Sequence, residues 1–175
     1  MLLLGYVLFI LNYICYCSSR YCKEKKYMLT LELVAKILTI ISMYCFGSLS
    51  GAYIFIVGFV NIIVRTILEY KEFDLKFLFF VFEFLYIVIT VITFAGVSSI
   101  LVFTSSSISL FSLWFLQPQK MRVVGIYNSF IHLFYQLSIK NYAGFLECFV
   151  ILSNLTSYLK YKRSGLTYQV NVDNY

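Results

Sequence analysis

The sequence is short of charge: only 13% of its 175 residues are Asp, Glu, Lys or Arg, where a soluble domain carries about 25%. That shortage excludes a water-exposed globule and leaves lipid as the solvent for the 61% of residues that are apolar. Proline occurs once. No low-complexity tract or long hydrophilic stretch offers room for a second, soluble domain. Histidine also occurs once, as His132, and no HExxH, GxSxG, GxGxxG or P-loop pattern is present. The chain is therefore not read as an enzyme, and no cofactor or metal is expected. Five cysteines form no CxxC pair and read as small apolar filler. The net charge of +6 does not point to nucleic acid, because the basic residues lie in the gaps between apolar runs.

What is abundant is apolar sequence in runs close to the roughly 20 residues that span hydrocarbon. Seven such runs fall at 1–17, 28–46, 49–68, 75–95, 98–116, 123–139 and 142–159. The expectation is an all-α polytopic membrane bundle forming one transmembrane domain over 1–163, with a short polar tail at 164–175. The fifth run is diluted by Thr104, Ser105, Ser106, Ser107, Ser109 and Ser112, so a six-helix reading that omits it stays open. Arg20, Lys23, Lys25 and Lys26 follow the first run, and similar basic groups follow the third, fifth and seventh. The alternate gaps hold only Lys140. By the positive-inside rule the N-terminus is outside and the C-terminus cytoplasmic.

Displacing the chain against itself by 93 residues lays runs one to three on runs five to seven. Met28 then meets Met121, Gly51 meets Gly144, Val57 meets Val150 and Asn61 meets Asn154. Two three-helix units share one orientation only if a single helix inverts the chain between them, and the fourth run does so. The predicted plan is three, one, three, with repeats at about 1–70 and 98–163 and a connector at about 75–95.

The stretch MRVVGIYNSFIHLFYQLSIKNYAGFLECFVILSNLTSYLKYKR resembles the C-terminal part of the YgjV-type bacterial inner-membrane proteins. KEKKYMLTLELV and GFVNIIVRT resemble their N-terminal repeat, so that the likeness runs from about Arg20 to Arg163. It implies a fold and a place in the bacterial inner membrane more than a reaction. The three-one-three plan, with an Asn in each third helix, is more remotely similar to the SWEET and PQ-loop transporters. Gln117-Pro118-Gln119 stands where a PQ motif would fall.

Polar residues within apolar runs are costly in lipid unless partnered, which makes them functional candidates. Asn61 and Asn154 occupy equivalent depths in the two repeats and are expected to face one cavity, with helix–helix bonding as the alternative. Asn128, His132 and Gln136 recur at helical spacing with Tyr135 beside them. Glu147 lies seven residues before Asn154 and has His132 as its only available histidine. Glu32 and Lys36 read as a self-neutralising i, i+4 pair, and Glu83 as an isolated carboxyl on the connector. Together these residues predict a small polar-solute transporter or facilitator with a mid-membrane cavity. The alternative is a non-catalytic membrane component that binds lipid or a partner protein.

Overall fold

The computed structural model describes residues 2–163; the expected tail lies outside the described residues. In lipid a backbone N–H finds its acceptor only within its own segment, so the apolar runs fold as helices. They are α1 (Leu2–Arg20), α2 (Lys25–Cys45), α3 (Leu49–Tyr70), α4 (Phe77–Ile92), α5 (Val97–Phe115), α6 (Pro118–Ser138) and α7 (Glu147–Arg163), with a 3-10 turn at Tyr142–Leu146. The six-helix alternative falls, because the Ser-rich segment is the continuous α5. Its Thr104 hydroxyl closes onto the Ile100 carbonyl at 2.8 Å, which spares the lipid a free hydroxyl.

Helices α1, α2, α3 and α5 are long and apolar enough to cross a membrane. Helix α4 is apolar but has 16 residues, about 24 Å of rise, and is shorter than the expected 75–95. Helix α6 carries Asn128, His132 and Gln136, and α7 ends on Lys160, Lys162 and Arg163, so neither reaches that hydropathy. Pro118 in the first turn starts α6 five residues ahead of the expected 123, a place where its missing N–H is harmless. The seventh run starts as a 3-10 turn, and Glu147 opens α7 rather than lying inside it. A carboxylate in a first helical turn is favoured by the helix dipole.

Helices α1, α2, α3, α5, α6 and α7 pack successively, and α7 returns to α1, so the six close a ring; α4 stands outside against α3 and α5. Phe77, Phe80, Phe84, Val91 and Ile92 of α4 are exposed, while Phe82 and Tyr86 are buried. Within the ring, buried polar residues outnumber buried apolar ones among the described residues.

The turns after α2 and α6 have the same backbone bonding. Gly47 N–H donates to Tyr44 O and Ser48 N–H to Met43 O, both at 3.1 Å. Lys140 N–H donates to Leu137 O at 3.0 Å and Asn141 N–H to Gln136 O at 2.9 Å. Both turns place a left-handed residue past the helix end, at φ 74° for Gly47 and 56° for Lys140.

Candidate functional site

At the centre of the ring is a cavity of about 120 Å³ to which every helix contributes, with room for several waters or a small solute. Side chains reach it from α1 (Tyr13, Arg20), α2 (Glu32, Lys36), α3 (Asn61), α4 (Tyr86), α5 (Ser105, Ser109), α6 (Asn128, His132) and the first residue of α7, Glu147. Gly58 and Gly125 also line it. The helices can turn these groups inward because their opposite faces carry exposed Leu, Ile, Val and Phe that suit lipid.

Two charged clusters divide the wall. In the first, Glu147 Oε1 accepts from the Tyr13 hydroxyl at 2.6 Å and is in hydrogen-bond contact with His132 Nδ1. His132 Nε2 lies 3.3 Å from Gln136 Nε2, and Gln136 Oε1 accepts from Asn141 Nδ2 at 2.8 Å. A hydrogen-bonded chain thus runs from Tyr13 on the cavity wall to Asn141 in the turn after α6. In the second cluster Arg20 Nη2 meets Glu32 Oε1 at 2.6 Å, with the Arg20 Cζ 4.1 Å from the centre of the Tyr16 ring. Lys36 does not pair with Glu32 as its spacing predicts; Arg20 takes that carboxylate. The Lys36 Nζ instead lies 4.7 Å from the centre of the Phe55 ring, whose edge meets His132.

Of the residues singled out in the sequence, Asn61, Asn128, His132 and Glu147 line the cavity. Asn61 Oδ1 accepts from Trp114 Nε1 at 2.8 Å, and Asn128 Nδ2 donates to Ser109 Oγ at 2.8 Å. Asn154, Gln136 and Tyr135 stand behind the lining. Asn154 is fully buried, donates to its own helix at Val150 O and packs against Gly125. Tyr135 shares a 2.9 Å hydrogen bond with Ser48. Glu83 accepts from Ser107 Oγ at 2.8 Å, between α4 and α5.

The groups that sequence reasoning missed are Arg20, Tyr13, Tyr16 and Tyr86. Arg20 reads as a loop charge, yet it is 3% exposed. No sequence signal marks it, because Lys36 at i+4 already offers Glu32 a basic partner. Arg122, in the basic gap after the fifth run, is likewise buried and donates to the Arg20 and Cys22 carbonyls. It ties α6 to the α1–α2 loop.

No group of three His, Cys, Asp or Glu side chains that would hold a metal occurs among the described residues. Comparison with curated proteins and with solved structures gives no match. A family model described as a bacterial inner membrane protein matches residues 2–165. The chain is therefore an integral membrane protein and belongs to the Imp-YgjV family of bacterial inner membrane proteins.

Proposed function

We propose that this protein is a solute carrier or facilitator rather than an enzyme, with the central cavity as the binding site. One observation carries the reading: a polar, partly charged cavity encircled by helices whose outer faces are apolar. Buried polar groups in lipid are costly, and a hydrated cavity with a chemical purpose explains why so many converge here.

The reading includes the three-one-three plan, with N-terminus outside and C-terminus cytoplasmic. All eight lining residues of α1 and α2 have a counterpart 93 positions later that also lines the cavity. Tyr13 corresponds to Ser106, Tyr16 to Ser109, Arg20 to Leu113, Glu32 to Gly125, Lys36 to Ser129 and Thr39 to His132. The two matched turns and the closing of the ring through α3–α5 and α7–α1 support the same plan. Tyr13, Tyr16, Glu32 and Lys36 of one unit answer Ser106, Ser109, Gly125 and Ser129 of the other, which leaves open space between them. A parallel repeat of this kind is a common frame for transporters with a mid-membrane site.

A second reading, a non-catalytic component that binds lipid or a partner, has Asn154 in its favour, since among the described residues that carboxamide bonds only its own helix. Solute uptake into proteoliposomes separates the two. The carrier reading expects saturable uptake that Asn61→Ala and His132→Ala abolish while the protein stays folded. Uptake no faster than in protein-free vesicles contradicts it.

A further inference from the structure

The cavity wall itself selects a class of occupant. Glu32 is neutralised by Arg20, and Glu147 is engaged by His132 and Tyr13. Lys36 differs: among the described residues its ammonium forms no hydrogen bond and no ion pair, and it lies against the Phe55 ring. An ammonium inside a bundle needs a counter-charge, and the cavity is the place from which an anion reaches it.

Two further donors converge on the same patch. Gly58 leaves α3 bare there: a Cβ at that position would lie 3.1 Å from the Tyr86 hydroxyl and 3.8 Å from Lys36 Nζ. One turn further along α3 is Asn61. Indole N–H is a donor only, so the bond from Trp114 fixes Asn61 Oδ1 toward the indole. The amide Nδ2 is left without a partner among the described residues, on a side chain that lines the cavity. Ammonium, phenol and amide therefore offer donors from α2, α4 and α3. The wall from α5 and α6 differs. Ser105, Ser106, Ser112 and Ser129 line the cavity and their hydroxyls make no hydrogen bond among the described residues, whereas Thr104 and Ser153 bond back to their own helices.

We infer that the cavity binds a small hydroxylated monocarboxylate, with its carboxylate on Lys36, Tyr86 and Asn61 and its hydroxyls on the serine wall. This rests on the carrier reading only in placing the ligand in the same cavity. A cation–carboxylate contact gives the affinity, and free hydroxyls on the facing wall reward a ligand that brings hydroxyls of its own.

The chain has one tryptophan, Trp114, hydrogen-bonded to a proposed ligand residue, so its fluorescence reports occupancy. The experiment titrates the purified full-length protein with glycolate, glycerate, acetate and uncharged glycolamide. Ionic strength is held with a sulfonate too bulky for the cavity. Glycolate and glycerate should give a saturable change, with glycolamide at least about tenfold weaker and acetate intermediate. Lys36→Met should lose the response to the acids and Lys36→Arg should keep most of it. Lys36→Met should melt no lower than the wild type, because it removes an unpaired charge. Equal binding of glycolate and glycolamide, an unchanged Lys36→Met, or no saturable response to either hydroxy acid overturns the anion site. Acetate binding as tightly as glycolate overturns the hydroxyl contacts. Saturable acid binding without flux contradicts the carrier reading and leaves this one standing; flux of neutral polyols without acid binding does the reverse.

Discussion

Trp114 donates its indole N–H to the Asn61 carboxamide at 2.8 Å across the contact between α3 and α5. The opposite face of this link is a charged cleft. The Arg65 guanidinium carbon lies 5.3 Å from the centre of the Trp114 ring, and Arg65 itself pairs with Glu69 at 2.9 Å. Trp114 lines the cleft formed with Lys25, Arg65, Asp74 and Lys76, while its partner Asn61 lines the central cavity. Trp114→Phe keeps an aromatic ring but loses the donor and part of the indole's bulk, and the unpaired Asn61 carbonyl alone costs about 1–3 kcal/mol. A measurable drop in thermal stability is expected, and an unchanged melting curve contradicts this account of the bond.

The Arg20–Glu32 pair gives a sharper test. Both side chains are under 10% exposed, so removing one partner strands a buried charge. Glu32→Gln should destabilise by about 3 kcal/mol, whereas the double variant Arg20→Met with Glu32→Leu should recover most of that loss. Unfolding of both variants in the same detergent decides it. A double variant no better than Glu32→Gln shows that the guanidinium has a role beyond pairing.

The matched turns predict opposite responses to opposite substitutions. Gly47 and Lys140 both have positive φ, which costs a residue with a Cβ about 1 kcal/mol. Gly47→Ala should destabilise by about that amount, and Lys140→Gly should stabilise by somewhat less, because glycine also loosens the unfolded chain. Responses of the same sign at the two turns contradict their equivalence.

Orientation is tested by thiol labelling at Cys22 in the α1–α2 loop, in a variant without the other four cysteines. Burial raises the Cys22 thiol pKa, with Arg122 acting in the opposite direction. Less thiolate is present at neutral pH than for a free cysteine, so maleimide labelling should be slow there and quicken as pH rises. Membrane-impermeant reagent should label it only when the cytoplasmic face is opened; labelling of intact cells contradicts the proposed topology.

Much of the fold was legible because lipid makes length and hydropathy nearly sufficient. Helices α2, α3 and α5 lie within a few residues of their apolar runs. The misplacements have local causes: Pro118 starts α6 early, and the residues before Glu147 take a 3-10 turn that spacing does not reveal. The site was only partly legible. Asn61, Asn128, His132 and Glu147 stand out as polar letters in apolar text, and all reach the cavity. Arg20 does not stand out, because a basic residue at a helix end looks the same whether it faces the cytoplasm or turns inward to Glu32. Asn154 marks the opposite failure. It falls 93 positions after Asn61, but it packs against Gly125 and its amide donates to its own helix.

Filling the cavity is the decisive test of a solute path through it. Ser129 is 5% exposed and lines it, so Ser129→Leu places apolar bulk in the open space without breaking any hydrogen bond among the described residues. Uptake of labelled glycolate, glycerate and neutral polyols by proteoliposomes is compared for this variant and the wild type at equal amounts of folded protein. Saturable uptake of at least one solute is expected of the wild type, and its loss in Ser129→Leu. Equal uptake by the two proteins would contradict it, because the solute would then be crossing by a route that does not include this cavity.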